Sequence, residues 1–287
     1  MTETRLLPFG AAPVPSSGAE VERRVTALLA TLAQPGVGGL GGVRVAAEVD
    51  GADLASLRVD ASGVTVDDQR LSTRKPAAPS VDVVRREPGT VRRLEVVAHP
   101  ASVRGVPAEV DVSASDVRFD WVVGADDQLY VEVREPSDAE PVVGTARIAV
   151  AHRDLVAAVR TVLAAVLQDK GFTLTALDLD LQNRGPRALA VRADAKVQRS
   201  FLRAGVTVTA SASIDRSLVL EVGDVTISSS NPIVEGFIGP FRSKVAAEAN
   251  RTIDLAAQLP AGVTVSDVSI AAGDDVVISV TFGQPAG

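Results

Sequence analysis

Gly36-Val37-Gly38-Gly39-Leu40-Gly41 carries the glycine spacing of a dinucleotide phosphate loop. That chemistry needs a strand before the glycines and a helix after them, so that the helix N-terminus faces the pyrophosphate. Here a helical pattern precedes and a strand pattern follows, which reverses the dipole, so the glycines read as a connection. The acid pairs Asp67-Asp68, Asp126-Asp127 and Asp274-Asp275 offer oxygens to a hard cation. None has the D-x-D-x-D-G spacing that supplies calcium with its roughly six to eight oxygens, and Asp between strands is ordinary turn chemistry. Imidazole chemistry is limited to His99 and His152. Neither belongs to a G-x-S-x-G or H-E-x-x-H pattern. The residues therefore point to a non-catalytic protein with no cofactor and no metal.

Two patterns suit binding instead. Arg85-Arg86 and Arg92-Arg93, with Arg104 nearby, read as the only basic cluster in the sequence. Forked guanidinium donors suit phosphate headgroups, and the same charges suit a solvated strand edge. Phe237, Ile238 and Phe241 concentrate large apolar groups in a chain with only seven Phe, and Val245 extends their four-residue spacing. Such a stripe either lines an apolar cavity or anchors a helix on a sheet.

Helical spacing places these side chains on two long elements and one shorter one. Val21, Val25, Leu28, Leu29 and Leu32 predict a helix over 20–33, capped by Ser16 or Ser17 and stopped at Pro35-Gly36. Leu155, Val159 and Leu163 belong to the apolar face of a helix over 152–168 that Gly171 ends. A late helix carries Phe237, Phe241, Val245, Ala249 and Ile253 and ends before Pro260. Between the helices, alternation predicts strands at Val43–Val49, at Leu57–Val59 and Val64–Val66 about the turn Ala61-Ser62-Gly63, and at Leu94–Ala98, Ala108–Val123 and Leu129–Val133. Further strands are expected at Thr145–Val150, Leu174–Leu181, Ala188–Val197, Val206–Ile214, Leu218–Ile227, Val263–Ile270 and Val276–Phe282. Residues 67–90, polar and containing three prolines, read as a long loop.

Composition agrees with α+β. Aromatics are only 3% of the chain, so Val, Ala, Leu and Ile must fill the core. A hydrophobic content of 46% argues against disorder, and the absence of cysteine excludes disulfides and Cys-ligated zinc. A net charge of −7 disfavours nucleic acid as a partner. The N-terminus lacks the basic and apolar regions of a secretory signal, and no stretch reaches the ~18 apolar residues of a membrane span. The expected location is cytoplasmic, with transient membrane contact left open.

Residues 1–18 read as a flexible lead, 19–134 as one α+β half, 135–143 as a linker and 144–282 as a second half. The halves look alike. Arg24–Ala30 resembles Arg160–Ala165, and Ala108–Ser115 resembles Val206–Ser213.

The stretch from Gly144 to Phe282 also resembles the actinobacterial LmeA-like phospholipid-binding family. The likeness rests on Ile148-Ala149-Val150-Ala151-His152-Arg153-Asp154-Leu155, Ile253-Asp254-Leu255 and the closing Leu259-Pro260-Ala261-Gly262-Val263. It implies a tubular lipid-binding (TULIP-like) fold, with strongly curved antiparallel sheets wrapped around long helices in two similar halves. It also implies a phospholipid or other acyl lipid as ligand. Phe237, Ile238, Phe241, Val245, Leu155, Val159 and Leu163 would then line the apolar groove, and Arg85, Arg86, Arg92 and Arg93 would meet the headgroup. A structural or protein-interaction module with a filled core is the alternative.

Overall fold

A computed structural model of the chain describes residues 6–31, 37–66, 81–137, 139–168, 171–199, 202–215, 218–229, 231, 252–254 and 262–283. The first elements are β1 (Leu6–Ala11), α1 (Gly18–Thr31), β2 (Val37–Gly38), β3 (Arg44–Asp50), β4 (Asp53–Asp60) and β5 (Thr65–Val66). Next come β6 (Val83–Val103), β7 (Val106–Gly124), β8 (Gln128–Val133), β9 (Val143–Ala151) and α2 (His152–Gln168). The remainder is β10 (Thr173–Gly185), β11 (Ala188–Arg199), β12 (Leu202–Ile214), β13 (Val219–Ser229), β14 (Thr252–Asp254), β15 (Val265–Ala272) and β16 (Asp275–Phe282). Two compact units result. The first holds residues 1–148, 260–266 and 280–287, and the second holds 149–259 and 267–279. The division falls after Ile148 and again within the final hairpin, whereas the sequence places it at 135–143.

In the first unit the spine is the hairpin of β6 and β7. Its two-residue turn, Arg104-Gly105, has both residues left-handed, at φ 51° and 79°. That is the backbone a tight hairpin of twisted strands requires. β7 pairs with β8 and β8 with β1, both antiparallel, whereas β4 lies parallel to β6, with Leu54 opposite Val91 and Leu57 opposite Leu94. The resulting eleven-stranded mixed sheet follows the order β15-β16-β9-β7-β6-β4-β3.

Its core gathers the scarce aromatics. Phe119 meets Trp121 edge-on at 4.8 Å and Phe9 lies 5.3 Å away, with Val21 of α1 fully buried beside Leu54, Val91 and Leu129. The indole Nε1 donates to the Ala52 carbonyl at 2.9 Å, so the one polar atom of Trp121 is satisfied. α1 opens at Ser17, whose hydroxyl oxygen accepts from the Glu20 amide at 3.4 Å. Arg24 then ties α1 to the N-terminal strand by donating to the carbonyls of Ala11 at 2.8 Å and Pro13 at 3.3 Å.

In the second unit, β10 to β14 form a five-stranded antiparallel sheet in sequential order. Register and alternation give it two unlike faces. One carries the rows Leu174–Val197–Ala204, Leu179–Ala193–Val208–Ile227 and Leu181–Val191–Ala210. The other carries Asp178–Asp194–Thr207 and Asp180–Arg192–Thr209–Thr226.

These observations correct the expected fold class. The described residues are mostly strand, with two α-helices of 14 and 17 residues, and neither sheet wraps a long helix. α1 packs against β1 and β3, and α2 against β10. The two halves are not copies. The first holds a parallel strand pair within a mixed sheet, and the second is an antiparallel meander, so the TULIP-like duplication is withdrawn. The Ser-Ala-Ser matches are alternating strand residues of β7 and β12 in differently ordered sheets. Residues 6–11 of the expected lead are strand, held by β8 and Arg24. Residues 83–90 of the expected loop begin β6, because β7 supplies their backbone partners. Thr252–Asp254, placed in the late helix by spacing, pair as strand with β13.

At Gly89 the spine has no room for a side chain. A Cβ there would lie 2.6 Å from the Phe119 ring and 2.7 Å from the Ala52 carbonyl. Gly89→Ala is expected to destabilise the first unit by about 1–3 kcal/mol through overpacking. Urea unfolding followed by the fluorescence of Trp121, the single tryptophan, measures it, and an unchanged midpoint contradicts this packing.

Candidate functional site

The glycine run is structural. Val37 and Gly38 pair with Val66 and Thr65, and Leu40–Gly42 form one turn of 3-10 helix. A Cβ on Gly38 would meet the Thr65 hydroxyl at 2.5 Å, and Gly39, at φ 77°, sits against the Gly63 carbonyl. Close strand approach explains these two glycines.

His99 Nε2 bonds Asp111 at 2.7 Å, a partner twelve residues away that sequence reading missed. The Ser62 hydroxyl accepts from the His99 backbone amide at 2.8 Å rather than from the ring. Among the described residues no hydroxyl is oriented by this imidazole, so the pair is not a nucleophilic triad. His152 opens α2, with its amide donating to the Asp274 carbonyl at 2.9 Å.

The basic cluster lies along β6, and its members are drawn to carboxylates. Arg86 pairs with the buried Glu132. Arg92 bridges Asp50 at 2.8 Å and Asp53 at 3.0 Å, and Arg85 lies 3.8 Å from Glu87. Arg93 borders a shallow hollow with Glu22, Arg58 and Glu95. Beside Glu132, and directly opposite it in register, Asp120 is also buried and is gripped by the fork of Arg134 at 2.8 and 2.5 Å. Adjacent carboxylates on one face repel, and these arginines are the counterions that let them stay buried. Arg85, Arg86 and Arg92 therefore have partners in the fold before any phosphate arrives.

In the second unit an open cleft of about 900 Å³ is lined by Asp178, Asp180, Asp194, Asp274 and Asp275, with Arg153, Arg192 and His152. Asp194 accepts both guanidinium nitrogens of Arg192, at 2.7 and 3.2 Å, and the Thr207 hydroxyl at 2.5 Å. Arg192 first, and Thr207 second, hold its carboxyl below the ordinary range. Among the described residues no three acidic or imidazole groups are placed to hold a metal ion.

The apolar candidates divide. Phe237, Ile238, Phe241 and Val245 lie outside the described residues. Leu155, Val159 and Leu163 are half-buried along α2, no described side chain of α2 is fully buried, and Val162 is 64% exposed. On the sheet's apolar face Leu179, Leu189 and Val197 are buried. Leu174, Leu177, Leu181, Val191, Ala193 and Val208 are only half-buried. No described helix is long and apolar enough to cross a membrane.

No family model, no curated protein and no solved structure matches this chain.

The acid pair Asp126-Asp127 is turn chemistry, as its spacing implies. Asp126 accepts the Gln128 amide at 3.2 Å and the Tyr130 hydroxyl at 2.8 Å. The Tyr130 bond, then the Gln128 amide, lowers the Asp126 pKa, and the bond to Asp126, then burial, raises that of Tyr130. The interaction is present above the ordinary carboxylate range and fades as pH falls through the lowered Asp126 value. It is likewise present below ~10 and is lost as pH rises through the raised Tyr130 value. Tyr130 is the single tyrosine, so ultraviolet titration reads it alone. The midpoint is expected above ~10 and should fall toward that value in Asp126→Asn. An ordinary midpoint in the parent refutes the bond.

Proposed function

We propose that the second unit binds an apolar ligand, an acyl lipid in particular, without catalysing a reaction. The observation that carries this reading is the half-buried apolar face of β10 to β13. A single antiparallel sheet with one polar and one apolar face gains stability only when the apolar face is covered. Among these strands α2 packs chiefly against β10, and Ala193 and Val208, on β11 and β12, remain half-exposed. Each methylene laid on such a surface contributes up to ~0.8 kcal/mol, so a long chain binds without any polar motif. The polar face has a different balance. Thr207 with Asp194, Thr209 with Thr226 at 2.6 Å, and Ser211 with Asp224 at 2.8 Å satisfy one another.

Ala193, between Leu179 and Val208, tests the reading. Native mass spectrometry and solvent extraction of the purified parent should find a co-purifying lipid. Ala193→Trp should lose that lipid with little change in thermal midpoint, since the space is open. A filled structural module predicts the opposite: no lipid in the parent, and a loss of about 1–3 kcal/mol on overpacking. That outcome rejects ligand binding.

A further inference from the structure

Four cations gather at one end of the five-stranded sheet. Arg199 continues the apolar row beyond Val197 and pairs in register with Leu202. Its guanidinium stands 5.3 Å over the Phe172 ring and passes within 4.0 Å of where a Gly171 side chain would begin. Arg203 lies opposite Gln198, and Lys196 opposite Ala176 and Gly205. Arg160 of α2 reaches the same end, donating to the Thr175 carbonyl at 3.4 Å, while the Thr175 hydroxyl donates to the Lys196 carbonyl at 3.0 Å. At ~3.3 Å per residue and ~4.8 Å between strands, the Cα atoms of Lys196, Arg199 and Arg203 lie within about 10 Å of one another, with Arg199 on the apolar face and Lys196 and Arg203 on the polar face. All four side chains are exposed, and none makes an ion pair among the described residues. The arginines of β6 differ on this point, because carboxylates already engage three of them.

Charge along the sheet then reverses. On the polar face the next row past Lys196 is Asp178–Asp194, followed by Asp180–Arg192. Asp178, Asp180 and Asp194 line the cleft together with Asp274 and Asp275. The apolar face runs beside this gradient from Val197 to Leu189, about 26 Å at ~3.3 Å per residue.

Resting on the apolar-ligand reading, we infer that the ligand is an anionic amphiphile. Its phosphate or carboxylate head is held by Arg199 at the end of the apolar rows with Arg160 beside it, and its chain runs along the apolar face toward Leu189. Arg199 is the pivot, since it is the cation in line with the apolar rows. A negative head is drawn to this end and repelled from the acidic one, which fixes the direction of the chain. Forked arginine donors bind phosphate and carboxylate in two-pronged fashion. Lys196 and Arg203 add field at the rim.

The test compares three probes on the full chain by calorimetry: dodecyl phosphate, dodecanol and inorganic phosphate. Dodecyl phosphate is expected to bind at least tenfold more tightly than dodecanol at low salt, with the preference shrinking as ionic strength rises. Inorganic phosphate alone should bind far more weakly than either. Arg160→Gln, and separately Arg199→Gln, should each bring the two amphiphiles within about threefold of one another by weakening dodecyl phosphate. Circular dichroism confirms that each variant is folded, and Arg199→Lys should restore part of the preference if charge matters more than packing on Phe172. Equal binding of dodecyl phosphate and dodecanol overturns the headgroup site and leaves the apolar face standing. Binding of neither overturns both. Inorganic phosphate as tight as dodecyl phosphate makes the cluster a plain anion site and overturns the amphiphile.

Discussion

Every strand at the border of a sheet presents amide and carbonyl groups that must bond to something, and this mostly β chain is organised by how it meets that demand. At β3 the Ala47 amide donates to the Glu22 carboxylate of α1 at 3.3 Å. Where β6 begins before β4 reaches it, the Thr90 amide donates to Asp53 at 2.9 Å. At β15 the tip of the β10–β11 hairpin acts as a substitute strand. Asn183 donates to and accepts from Ala272, both at 2.8 Å, the Ile270 amide donates to the Pro186 carbonyl at 2.8 Å, and Arg187 donates to the Val268 carbonyl at 2.9 Å. One end of the hairpin is thereby fixed to the backbone of β15. Its other end, with Arg199 and Lys196, has no such anchor in the final hairpin.

Legibility followed the range of the interaction. The period of α2 is local, and its bounds at His152 and Gln168 match the spacing. The alternation of β10 to β13 is local too, and it placed those strands. The start of β6 was not legible, because Arg85-Arg86-Glu87-Pro88-Gly89 has no apolar alternation and owes its strand state to partners in β7. Nor was the parallel run of β4 on β6, since alternation assigns a face and says nothing of direction. The duplication failed for the same reason: Val–Ala alternation recurs wherever strands are half-buried, whatever their order.

Charge was less legible than hydrophobicity. The arginine pairs of β6 stood out because they are adjacent in sequence. Their partners are Asp50, Asp53 and Glu132, up to forty-six residues away. The cations at 160, 196, 199 and 203 did not stand out, because α2 and two strands bring them together only in the fold. In a chain of net charge −7, a conspicuous basic run has many carboxylates to find. Cations that reach the folded state without an ion pair are the more informative ones.

The two faces of the five-stranded sheet share one cause and differ in consequence. Alternation places Val191 and Ala193 on one side and Arg192 and Asp194 on the other, so neither face is set independently. The polar face can settle its needs within itself, because hydroxyls and carboxylates on neighbouring strands reach each other. Apolar side chains such as Ala193 and Val208 cannot, since no bond within one face removes water from it. The face that lacks an internal solution is the one to which the proposal assigns the ligand. In that proposal the charges at its ends decide orientation, and apolar area supplies the bulk of the affinity.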